Sequence, residues 1–150
     1  MEISELKKQQ SNKLLFLGVL LFFLGLVAGL LVPAMPNPRM GLSGHLEGIM
    51  NGIFLMVVAL SWIRLELSPG WLKITFWASL YGTFANLITV LLAAIFNSGK
   101  MMPIAGGHQG PPVIESIVSF LLITLAVAML AVCIILMKGL LRHTNSNVKG

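Results

Sequence analysis

The chain has 150 residues, of which 57% are hydrophobic and only 10% charged, with a mean hydropathy of +0.92. A soluble domain of this length carries about a quarter charged residues, so this composition cannot clothe a water-facing globule. The net charge of +5 sits in short stretches between long apolar runs, which reads better as a membrane topology signal than as a nucleic-acid-binding stripe.

Crossing the hydrocarbon core takes about 20 apolar residues in a helix. Residues 14–32 are unbroken apolar sequence between Lys13 and Pro33. A signal-peptide core is shorter and would not be followed by three more spans, so this segment is read as an uncleaved anchor. The second span starts near Leu42 and ends before Arg64, the third runs over about 74–96, and the fourth over about 113–137, stopped by Lys138. Proline and glycine punctuate the connections at Pro33, Pro36, Pro38, Pro69, Gly70 and from Gly99 to Pro112. The expected architecture is an all-α integral membrane bundle of four transmembrane helices, forming one domain over 1–150. Its helices are placed at about 14–33, 42–63, 72–97 and 113–138, with short tails.

Lys7, Lys8, Lys13, Arg64, Lys73, Lys138, Arg142 and Lys149 lie on the side of the termini and the second connection, against only Arg39 and Lys100 opposite. The positive-inside rule therefore predicts both termini in the cytoplasm (N-in/C-in). Cys133, the only cysteine, allows no intrachain disulfide and reads as a small buried hydrophobe.

A polar group in hydrocarbon is costly unless partnered, so the polar residues of the spans are the candidate site. The second span carries His45, Glu47 and Asn51, the third Tyr81 and Asn86 among several hydroxyls, and the fourth opens with Glu115. Counted at the helical rise, Asn51 and Asn86 both lie roughly 20 Å above the inner boundary and His45 roughly 28 Å. One polar pocket would hold both asparagines, with Glu115 nearer the height of His45. Asparagines in membrane helices also serve simply to join helices. His108, in a Gly-Gly-His-Gln-Gly loop, reads as a solvated or lid residue, and His143 as a surface residue of the basic tail.

Gly44, Gly48 and Gly52 recur every four residues and make a flat strip bordered by His45. Such a strip suits close packing of another helix, or a planar macrocycle such as haem with His45 as its axial ligand. Gly25 and Gly29 show the same spacing without a histidine nearby in sequence. One intramembrane histidine disfavours a bis-histidine cytochrome and leaves the other face of such a haem open to a substrate.

Residues 37–52, Asn-Pro-Arg-Met-Gly-Leu-Ser-Gly-His-Leu-Glu-Gly-Ile-Met-Asn-Gly, resemble the signature of the hydroxylaminobenzene mutases. These are small bacterial membrane enzymes of nitroaromatic degradation that rearrange aryl hydroxylamines to 2-aminophenols. The resemblance extends to 76–86, which ends in Tyr81-Gly82-Thr83-Phe84-Ala85-Asn86. More distantly the chain is similar to the styrene oxide isomerases, in the His-x5-Asn pattern of His45 and Asn51 and the pair Ala85-Asn86. That resemblance implies a homotrimer with ferric haem b at subunit interfaces, His45 as iron ligand and Asn51 facing the substrate. The isomerases carry a tyrosine four residues beyond the Ala-Asn asparagine, where this chain has Val90, which argues against epoxide isomerisation by the same constellation.

The expected function is thus a redox-neutral rearrangement of an aryl hydroxylamine in the bacterial inner membrane. Asn51, Asn86 and Tyr81 are the candidate catalytic residues, with Glu47 to orient the His45 ring or shuttle a proton. Gly48 and Gly52 are assigned to the haem face and Arg39 to its propionates. The partners are the aromatic substrate, the lipid bilayer and two further copies of the chain, with no nucleic acid. An epoxide isomerase, a small multidrug-type transporter and a non-catalytic haem-binding subunit remain the alternatives. Against the transporter, the first span lacks the carboxylate that proton coupling needs.

Overall fold

The computed structural model describes residues 2–148 and contains no strand among them. The long helices are α1 (Ile3–Leu31), α2 (Pro38–Ser61), α3 (Pro69–Phe96) and α4 (Pro112–Val148). All four are long and apolar enough to cross a membrane. Lys149, one of the basic residues counted for topology, lies outside the described residues.

Local chemistry sets the helix ends. Asn37 caps α2 by accepting the Met40 backbone N–H at 3.1 Å, with Pro38 in the first turn. Pro69 likewise opens α3, which stops where Asn97 turns left-handed at φ 52°, a conformation asparagine tolerates better than most residues.

Two helices extend further than the apolar runs. Helix α1 begins at Ile3 rather than near 14 because its polar first turns have something to pack on. Leu6 and Gln10 are buried, and Gln10 accepts the indole N–H of the fully buried Trp62 at 3.1 Å. Ser11 donates to the Ala59 carbonyl at 2.8 Å. Helix α4 continues past Lys138 beside the α2–α3 connection, where the Glu66 N–H donates to the Gly139 carbonyl at 3.2 Å.

The helices pack in chain order as an open row: α1 on α2, α2 on α3 and α3 on α4. No Cα of α4 comes within 8 Å of α1 or α2 among the described residues. The hydroxyls of α3 are spent locally: Thr75, Ser79, Thr83 and Thr89 each donate to the carbonyl four residues back at 2.6–2.8 Å. These polar residues therefore sit in hydrocarbon without needing a ligand.

The α1–α2 contact decides the use of the glycine strip. A Cβ on Gly52 would lie 2.6 Å from the Phe22 backbone nitrogen, and one on Gly48 would collide with the Gly25 backbone. Gly48 and Gly52 are covered by α1, and Gly44 packs on Leu91 of α3, so the strip serves helix packing and is not an open face for a macrocycle. That corrects their assignment as haem-contacting residues.

Candidate functional site

His45 projects from α2 toward α1. Its Nδ1 lies 2.8 Å from the Gly25 carbonyl oxygen, which fixes the proton on Nδ1 and leaves the Nε2 lone pair for a ligand. Gly29 makes room for the ring, since a Cβ there would lie 2.5 Å from Nδ1. The half-buried imidazole lines a groove of about 520 Å³ between the end of α1 and the start of α2, otherwise walled by apolar residues such as Leu26, Leu30, Pro33 and Leu42. Gly25 and Gly29, which have no histidine near them in sequence, are thus the backbone partner and the seat of His45.

Glu47 and Asn51 point elsewhere. Their positions on α2 lie roughly 160° and 120° around the helix from His45, and they face α3. There Glu47 Oε2 accepts Nδ2–H bonds from Asn86 at 2.7 Å and Asn51 at 3.3 Å. All three side chains are half-buried. The two asparagines share one polar group, as their matched heights predict. Glu47 is its centre and is not the residue that orients the His45 ring, because the Gly25 carbonyl holds that position.

Tyr81 lies apart. Its hydroxyl is 2.6 Å from Thr124 Oγ1 on α4, about 140° around α3 from Asn86. Within one chain it joins neither His45 nor the amide group. Arg39 is exposed, and its guanidinium lies against Gly106 in the α3–α4 connection. It does not line the His45 groove. Glu115 is buried but committed to the same connection, accepting the backbone N–H groups of Gly99, Lys100 and Gly110 at 2.8–3.1 Å. Asn37 Nδ2 adds bonds to Asn97 Oδ1 and the Ala105 carbonyl. These two residues staple the loop, and His108 is exposed on it.

The donor set bears on what His45 can hold. Among the described residues no three His, Cys, Asp or Glu side chains gather into a metal-binding group. A lone imidazole with a free Nε2, in an apolar groove, suits a metal that brings its own equatorial ligands, as the iron of a haem does. His45 fits such a group as its ligand, whereas Arg39, Gly48 and Gly52 do not line the groove.

Four apolar helices with an imidazole and a carboxylate–diamide group at membrane depth define a multi-pass membrane protein with a polar intramembrane site. The sequence profile described as styrene oxide isomerase matches residues 10–141, and the chain belongs to this family. Hydroxylaminobenzene mutase HabA of Ectopseudomonas oleovorans is 51% identical over 127 residues, covering 83% of this chain and 94% of that protein. Hydroxylaminobenzene mutase HabB of the same organism is 48% identical over 132 residues, covering 87% of this chain and 80% of that protein. No solved structure matches the chain.

Proposed function

We propose that this protein is a membrane isomerase that rearranges aryl hydroxylamines, such as hydroxylaminobenzene, to 2-aminophenols by intramolecular hydroxyl transfer. The observation that carries the reading is the Glu47–Asn51–Asn86 group at membrane depth in a chain half identical to two proteins named as such mutases.

In this reaction the N–O bond breaks, a C–O bond forms at the ortho carbon, the ortho hydrogen leaves as a proton and a proton returns to nitrogen. Atoms and electrons balance without an external oxidant or reductant. Asn51 and Asn86 hold the NH–OH group, and Glu47 holds the two amides. Apolar surroundings within the bilayer would keep bulk water from the cationic ring, where it would otherwise add at the para carbon. Ferric haem b, bound through His45 Nε2, would supply Lewis acidity toward the N–O bond.

His45 and the amide group flank the α2 face formed by Leu42, Leu46, Met50, Ile53, Val57 and Leu60, all of them exposed. A head-to-tail ring of copies packed through this face would bring His45 of one copy toward the amides of the next, and the isomerase resemblance gives the number of copies as three. This supports a homotrimer whose site is shared between copies. The bias of basic residues toward the termini supports a bacterial cytoplasmic membrane with both termini inside.

Epoxide isomerisation is the second reading, favoured by the family match. The test is to give detergent-purified protein hydroxylaminobenzene and, separately, styrene oxide, with no redox cofactor added. Conversion of the first to 2-aminophenol supports the mutase. Conversion of styrene oxide alone replaces it with the epoxide reading.

A further inference from the structure

Both asparagines donate to one oxygen. Asn86 Nδ2 lies 2.7 Å and Asn51 Nδ2 3.3 Å from Glu47 Oε2. A flipped amide would bring its carbonyl oxygen against the carboxylate, acceptor on acceptor, an arrangement heavily penalised away from water. The contact therefore sets which end of each amide is free. No described residue donates to either Oδ1, and all three side chains remain partly accessible.

We propose that Glu47 is a positioning residue that locks Asn51 and Asn86 with their carbonyl oxygens outward. The site then selects aromatic ligands that donate N–H and O–H and rejects those that only accept. The inference rests on the mutase reading for the identity of the substrate. A hydroxylamine carries both donors, whereas an epoxide offers one oxygen acceptor and no donor. A site built to receive hydrogen bonds rejects an analogue that lacks them, because its own oxygens are left unpaired. The preference strengthens along the reaction. As positive charge grows on nitrogen, its N–H becomes a better donor to a carbonyl, so the same contacts favour the transition state over the ground state. An opening epoxide places its positive charge on carbon, with no N–H or O–H to donate to the carbonyl oxygens.

The test compares two ligands that are not turned over: 2-aminophenol, which donates N–H and O–H, and acetophenone, which only accepts. Affinities are read from ligand-induced thermal shifts of the detergent-purified full chain. The wild type should prefer 2-aminophenol by about tenfold or more. Glu47→Leu frees the amides to turn and should erase that preference. Glu47→Gln, whose carbonyl oxygen still accepts from both amides, should keep it within about threefold. An equal preference in wild type and Glu47→Leu would overturn the proposal. If Glu47→Leu does not fold, the wild type carries the test alone, and a wild type without preference overturns it equally. Conversion of hydroxylaminobenzene is scored separately, so a protein that shows the preference without turnover contradicts the mutase reading and not the clamp.

Discussion

His45 Nδ1 meets the Gly25 carbonyl at 2.8 Å across the α1–α2 contact, and the ring held by this bond lines the apolar groove. The imidazole is held by backbone, on a seat that Gly29 keeps empty.

Gly29→Ala should therefore act like a partial loss of His45. The added Cβ falls 2.5 Å from Nδ1 and must push the ring off the carbonyl. If His45 holds the proposed haem, Gly29→Ala should lower both the Soret absorbance and the rate of the purified protein, the latter by about tenfold or more. His45→Ala should abolish both. Full absorbance and rate in His45→Ala would remove the ligand assignment.

The amides should behave differently. On the proposed reading, Asn51→Ala and Asn86→Ala remove groups that hold the substrate and leave the His45 groove untouched. Each should retain the Soret absorbance and lose about 10²-fold in kcat. Asn86→Ala should cost the more of the two, since its bond to Glu47 is the shorter.

Mixing two inactive variants tests the shared site. If His45 of one copy works with Asn51 of another, co-expressed His45→Ala and Asn51→Ala chains form some intact interfaces. Random assembly at equal dose predicts about one quarter of wild-type activity. Activity no higher than that of either variant alone would place the site within one chain.

The glycine strip makes a prediction about stability. A methyl on Gly48 has no space against Gly25, while one on Gly70 meets nothing within 4 Å. Gly48→Ala should destabilise the protein by about 1–3 kcal/mol, measured as loss of thermal stability in detergent. Gly70→Ala should not.

The four spans and their punctuation were legible because the bilayer demands apolar runs of a set length and because proline and asparagine mark helix starts. Matching heights brought Asn51 and Asn86 together correctly, and Glu47 lies one helical turn from Asn51 on the same face. What escaped was tertiary. Nothing in the order of residues says that Gly25, 20 positions before His45, supplies its hydrogen-bond partner. The strip of Gly44, Gly48 and Gly52 suits a helix or a macrocycle as sequence, and only the positions of α1 and α3 decide. Helix α1 outran its apolar run because Gln10 finds Trp62. Tyr81 looked close to Asn86 in sequence, yet five positions on a helix turn it toward Thr124.

The most direct test of the account is to run the reaction of hydroxylaminobenzene with purified protein in water labelled with oxygen-18 and to weigh the aminophenol formed. The account predicts 2-aminophenol that keeps the oxygen of its own substrate and contains no label. Labelled product, or 4-aminophenol in its place, would mean that water captures a free cation, and would contradict an intramolecular transfer held by the amide group.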